Sequence, residues 1–203
     1  MKKTNKKKEL LKIAYTKFIT KGYLNTSIDE IISEAKIAKG TYYYYFESKE
    51  KTLEEVINMM VDNMSNKAKL ALEMNLPIEQ KFINVILSFR PDIKEEALTE
   101  AIHLPENAIM HDKINKKVIE KAVPILEKIV EEGNNKKILN CNENISAKVK
   151  ITLILSNELF DDGNYNEDDV NIYIDIVENL LGTQKGRPVS YTHLRAHETA
   201  ANL

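Results

Sequence analysis

Apolar positions recur along this chain at spacings of three and four, and no stretch alternates apolar and polar residues as a half-buried strand does. Leu10, Ala14 and Phe18 stand at i, i+4 and i+8, with Leu11 and Ile13 widening the stripe. That spacing predicts a helix from about Lys6 to Thr20. Gly22 is placed to end it as a left-handed residue. Ser27 and Glu30 spell a capping box, Ser-x-x-Glu, which opens a second helix whose apolar face is Ile28, Ile31, Ile32 and Ala35. Residues 36–38 make a turn, and a short third helix runs from about Lys39 to Phe46. Ser48 then caps a long fourth helix through Leu53, Val56, Ile57, Met60 and Met64.

The helical period continues beyond residue 66. Pro77 suits a helix start and leads into a helix over 78–90. Pro91 and Pro105 punctuate two more, about 92–103 and 105–122. Pro124 either kinks the chain or begins a further helix ending near Gly133. Residues 134–144, rich in Asn and Lys, form a loop. Two amphipathic helices over 145–160 and 168–181 follow, joined by the acidic loop 161–167, with Gly182 as the closing cap. The predicted fold class is all-α: an N-terminal three-helix helix-turn-helix domain over 1–51, with its motif at about 27–46, and a C-terminal helical domain over 52–182. The fourth helix bridges the two from about residue 48.

The chain has 203 residues, 43% hydrophobic, enough to build a real core in one or two domains. No apolar run approaches the roughly 20 residues needed to span a bilayer. The lysine-rich start has no apolar segment behind it, which argues against a secretory signal. The single cysteine, Cys141, allows no internal disulfide and fits a reducing cytoplasm. Net charge is −2, but it is uneven: residues 1–51 carry +6 and residues 52–203 carry −8. A basic head on an acidic body points one end of the molecule at a polyanion. Val-Ser-Tyr-Thr-His-Leu-Arg-Ala-His-Glu-Thr, from Val189, breaks the composition abruptly and matches one reading frame of a sequencing adapter. Residues 189–203 are therefore expected to be read-through, and the spacing of His193 and His197 is given no meaning as a metal pair.

The third helix separates two faces at 100° per residue. Tyr42 and Phe46 point one way, toward Ile28, Ile32, Ile37, Phe18 and Leu53, with Lys39 and Tyr43 at the margins. Gly40, Thr41, Tyr44 and Tyr45 spread over the other. Four consecutive tyrosines cannot all be core, because consecutive helical residues point in different directions. Exposed tyrosines beside lysines suit a helix lying in a DNA groove. Gly40 permits close backbone approach, and Thr41 offers a hydroxyl and a methyl. Tyr43 and Tyr44 donate to phosphates or stack on sugars, and Lys39 and Lys49 neutralise phosphates. Thr26 and Ser27 lie where a helix N-terminus favours an anion.

The stretch Ala-Lys-Gly-Thr-Tyr-Tyr-Tyr-Tyr-Phe-Glu-Ser-Lys-Glu, residues 38–50, resembles the recognition helix and following cap of the TetR family of transcriptional regulators, and the resemblance extends over 6–62. It implies a DNA reader built from the first three helices and the start of the fourth. It further implies an effector-binding body and a homodimer paired through the last two helices. The expected function is a sequence-specific repressor released from a palindromic double-stranded operator by an unidentified small molecule. An activator, or a ligand-independent DNA-binding protein of the same fold, is the alternative. Lys36 departs from the glycine usual in that family's turn.

The body offers Met60, Met64, His103, Asn107, Met110 and His111 as expected lining of an effector pocket, ordinary packing being the competing reading. A metal site from His103, His111 and Glu106 is the sharper alternative, weakened by Pro105, which starts a new helix after His103. No metal or cofactor is expected. The chain holds no G-x-S-x-G, P-loop, dinucleotide fingerprint, C-x-x-C or H-E-x-x-H, so no enzyme is expected either.

Overall fold

A computed structural model describes residues 2–89, 104–160 and 165–183, and all regular structure among them is helical. The elements are α1 (Lys2–Lys21), α2 (Ile28–Ala35), α3 (Lys39–Tyr45), α4 (Lys49–Glu73), α5 (Ile78–Ser88), a 3-10 turn (Pro105–Asn107), α6 (Ala108–Asn135), α7 (Ile145–Phe160) and α8 (Glu167–Leu181). The helix expected over 92–103 and the tail over 189–203 lie outside the described residues.

The chain groups into two compact units. The first holds residues up to Asn63 together with the described stretch 104–117; the second holds Met64–Phe89 and the residues from Val118. The division falls inside α4 and α6.

In the first unit the predicted stripe of α1 is buried as Leu10, Leu11, Ala14 and Phe18. Gly22, at φ 85°, ends the helix. Ser27 and Glu30 make the reciprocal capping box: the Ser27 hydroxyl accepts from the Glu30 N–H at 3.2 Å, and the Ser27 N–H donates to Glu30 Oε2 at 2.8 Å. These bonds satisfy two amide groups that a helix start otherwise leaves open. α2 buries Ile31 and Ala35, and stops at Lys36, whose N–H donates to the Ile32 and Ser33 carbonyls. Lys36 sits at φ 50°, ψ 51°, left-handed backbone that an L side chain adopts at a cost of about 1–2 kcal/mol. Lys36→Gly removes that strain while loosening the unfolded chain. It is expected to stabilise the protein by about 0.5–1 kcal/mol, or roughly 1–4 °C in thermal midpoint. An unchanged or lower midpoint would show that this turn stores no strain.

The second unit buries Ile78, Phe82 and Val85 of α5, Ala122, Leu126, Ile129 and Val130 of α6, and Val149 and Leu153 of α7. Pro124 lies inside a single uninterrupted α6, so it neither ends one helix nor begins another. Pro124 is exposed at the helix surface. The loop after α6 is held by side-chain hydrogen bonds: Asn134 accepts from the Cys141 N–H at 2.9 Å and donates to its carbonyl at 2.7 Å. The Asn140 backbone N–H donates to the Leu181 and Gly182 carbonyls at 3.3 and 3.1 Å, closing the end of α8. Gly182 is required there twice over, by its φ of 66° and because a Cβ would stand 2.6 Å from the Asn140 carbonyl oxygen. Lys81, nearly buried, meets Glu132 at 2.8 Å, and Lys136 reaches the same carboxylate at 2.6 Å. The two ammonium groups, Lys136 first, hold the Glu132 carboxyl below its usual range.

Candidate nucleic-acid interface

α3 is seven residues long, too short to stand alone, and is held by one face. Tyr42 and Phe46 are buried with ring centroids 5.4 Å apart. The Tyr42 hydroxyl meets the Thr52 hydroxyl, which also donates to the Ser48 carbonyl at 3.0 Å. Burial pushes the Tyr42 phenol above its usual range, so this group stays neutral. Thr52 was not foreseen: nothing in the spacing from Tyr42 announces a hydroxyl partner.

The opposite face carries the expected surface. Tyr43 is 45% exposed and Tyr44 61%, while Tyr45 and Thr41 are half-buried. Tyr44 and Tyr45 stack edge to face at 5.1 Å. Gly40 is exposed, and a Cβ there would meet nothing within 4 Å, so the glycine leaves the start of α3 open on its outer side. Lys39 is exposed and pairs with Asp29 at 3.3 Å. Both members are well exposed, so solvent screens the pair and it holds Lys39 weakly.

Thr26 and Lys49 are placed differently from the expected phosphate contacts. Thr26 is buried, and its hydroxyl donates toward the Lys17 and Gly22 carbonyls at 3.1 and 2.9 Å. The Lys49 ammonium turns inward to the carbonyls of Tyr23, Leu24 and Thr26, at 2.9, 3.4 and 3.0 Å, and lies 4.5 Å from the centroid of the Tyr23 ring. The partial negative charges of three carbonyls converge on the ammonium at this turn, and only the folded chain brings them together. Burial, with the Glu50 carboxylate second, pushes the Tyr23 phenol up to about 12. Ser27 is exposed, but its hydroxyl is engaged in the capping box.

The capping box is also the acid-sensitive point of this surface. The Lys21 ammonium first, and the Ser27 N–H second, pull the Glu30 carboxyl down to about 2 from an ordinary 4.5. A lowered carboxyl pKa stabilises the fold above 4.5, and that contribution fades as pH falls toward 2. Glu30 is therefore expected to titrate well below pH 4, with amide protection at the start of α2 lost over the same range. An NMR titration with a Glu30 midpoint near 4.5 would contradict this.

Asn107 and Met110 are fully buried in the first unit, Met60 and His111 are half-buried there, and Met64 belongs to the second unit. His111 pairs with the Asn115 amide at 3.3 Å. His103 lies outside the described residues. Asn107 faces the α1–α2 junction: its Oδ1 accepts from the Tyr23 N–H at 3.2 Å and its Nδ2 donates to the Ile19 carbonyl at 3.3 Å. Its amide is thus engaged by backbone, where a ligand-lining role had been expected. Among the described residues no three His, Cys, Asp or Glu side chains group as a metal site would need, and no helix is long and apolar enough to cross a membrane.

Residues 10–56 match the family model for bacterial regulatory proteins of the tetR family. An uncharacterised HTH-type transcriptional regulator of Bacillus subtilis, YhgD, is 29% identical over 160 residues, 75% of this chain and 82% of that protein. The HTH-type transcriptional repressor KstR2 of Rhodococcus jostii is 34% identical over 65 residues, 32% of each chain. Among solved structures, the fatty acid degradation regulator FadR from Bacillus halodurans superposes with a TM-score of 0.61 at 18% identity. That match covers 90% of this chain and 97% of that one, and shares the fold.

Proposed function

We propose that this chain is a DNA-binding transcriptional regulator of the TetR family, a homodimeric repressor of a near-palindromic operator released by a small-molecule effector. The observation that carries the reading is the division of α3. Tyr42 and Phe46 are locked inward, while Gly40, Thr41, Tyr43, Tyr44 and Tyr45 line the outer side. A helix so mounted inserts into the major groove with its backbone already positioned, and little entropy is lost on binding. Thr41 and the tyrosines meet base edges, sugars and phosphates. Lys39 exchanges Asp29 for a phosphate, and Ser27 marks the α2 N-terminus at the phosphate backbone. Lys49 and Thr26 act one step back, by shaping the turn before α2.

The first unit is the DNA reader and the second contributes the body. In the second unit, Ile151 and Ile154 of α7 and Ile172 of α8 are about half exposed. Apolar residues left open at helical spacing support pairing with a second copy through these two helices. A twofold pair places two α3 helices about one DNA turn, roughly 34 Å, apart, which is why the operator is a near-palindrome. Release requires an effector that binds one spacing of the heads better than the other, with a coupling of about 1–3 kcal/mol. The work is done in the cytoplasm, where the DNA is. KstR2 is named a repressor, which favours repression over activation for this chain as well.

Selection of bound duplexes from random DNA tests the reading. A near-palindromic motif should emerge, bound at least about a thousandfold more tightly than its scrambled version at physiological salt. Absence of any enriched motif, with the ligand-free protein folded, would remove it.

A further inference from the structure

Three groups hold the junction between α1 and α2. Thr26 bonds back to Lys17 and Gly22, and Lys49 takes the Tyr23, Leu24 and Thr26 carbonyls. These two belong to the reader itself. The third, Asn107, comes from 84 residues away, from the turn that leads directly into α6. It is fully buried, and it grips the last turn of α1 through the Ile19 carbonyl and the following loop through the Tyr23 N–H. Tyr23 is therefore held at both ends of one residue, its N–H by Asn107 and its carbonyl by Lys49 at 2.9 Å. Lys49 is the first residue of α4, and α2 and α3 lie in the chain between Tyr23 and Lys49.

We propose that the Asn107 carboxamide is a positioning residue for operator reading: it fixes the α1–α2 junction, and through it the setting of α2 and α3, from a segment outside the three-helix reader. The proposal rests on the DNA-reading function given above. The chemistry suits a latch. Moving a buried amide off its backbone partners costs the hydrogen bonds it makes with them, so intermediate positions are disfavoured. Both bonds, at 3.2 and 3.3 Å, are already at the long end of the hydrogen-bonding range. A shift of the turn by a few tenths of an ångström breaks them. α6 begins at the next residue, and it belongs to the first unit only as far as Lys117. A displacement of the start of α6 therefore moves Asn107 against the α1–α2 junction. Met110 and Ile114, buried on the same helix in the first unit, keep the turn seated while the latch is closed.

The test uses the full chain with Asn107→Ala and Asn107→Asp. The aspartate keeps an acceptor for Tyr23 but sets a carboxylate against the Ile19 carbonyl. Both variants should lose about tenfold in affinity for the selected operator, with scrambled duplex bound within about twofold of wild type and an unchanged salt dependence, since no phosphate contact is removed. The Tyr23 amide should exchange faster with solvent in Asn107→Ala, which removes its acceptor. Wild-type operator affinity in a folded variant overturns the proposal. So does an equal loss on operator and scrambled DNA, which a smaller folded fraction produces. If neither variant folds, exchange in the wild type decides: the Tyr23 amide must slow on operator binding, and an unchanged rate while α3 amides slow overturns the latch. Failure of the wild type to discriminate operator from scrambled DNA is a different result, and removes the DNA-reading function itself.

Discussion

Tyr42→Ala is expected to destabilise the DNA-reading unit by about 3–5 kcal/mol, the range for removing a large aromatic side chain from a packed core. The ring is fully buried, edge-on to Tyr43 at 5.5 Å and tilted against Phe46 at 5.4 Å. α3 has seven residues and no side-chain hydrogen bond at its N-cap, so its position depends on that one anchored face. That is a large fraction of a typical domain's stability margin of about 5–15 kcal/mol. Tyr42→Phe isolates the hydroxyl: the Thr52 hydroxyl keeps its bond to the Ser48 carbonyl, so a loss of only about 0.5–1.5 kcal/mol is expected. Denaturant unfolding at fixed protein concentration measures both, and amide exchange in α3 locates the effect. An alanine variant within about 1 kcal/mol of wild type would show that α3 is held by something other than this ring.

Tyr44→Ala should behave in the opposite way. Its ring is 61% exposed, so stability should change by no more than about 0.5 kcal/mol. Operator affinity should fall by about 10- to 100-fold, as for an aromatic anchor at the centre of an interface. Tyr44→Phe keeps the ring and removes the hydroxyl, and so separates stacking from donation to phosphate. Titration of the selected duplex gives the affinity, and a thermal melt of the same samples gives the stability. An alanine variant that binds the operator like wild type would place the reading surface elsewhere on the chain. Adjacent-but-one in sequence, Tyr42 and Tyr44 are thus expected to fail by different routes, one through folding and the other through recognition.

Much of this was legible before any coordinates. The stripe Leu10, Ala14 and Phe18, the Ser27–Glu30 box, the left-handed Gly22 and Gly182, and the inward Tyr42 and Phe46 all follow from interactions within a few residues of one another. Helical period and capping are local, so a sequence displays them directly. Pro124 shows where local reading runs short. A proline removes one helix hydrogen bond, but whether the chain breaks there depends on packing along the rest of the helix, and α6 continues through it.

Asn107 and Lys49 show the same limit for the functional surface. By residue type, one looked like a pocket polar group and the other like a phosphate contact. In the folded chain both make hydrogen bonds to backbone groups of the 23–26 turn, contacts that their residue types alone do not announce.

The order of residues by itself determined the helices, their caps, the basic head and the two faces of α3, since each depends on spacing along one helix or on composition alone. Tertiary structure decided which polar side chains face outward and which are used up inside. That choice depends on unpaired carbonyls and amides brought together from distant parts of the chain, and no short stretch of sequence contains both partners.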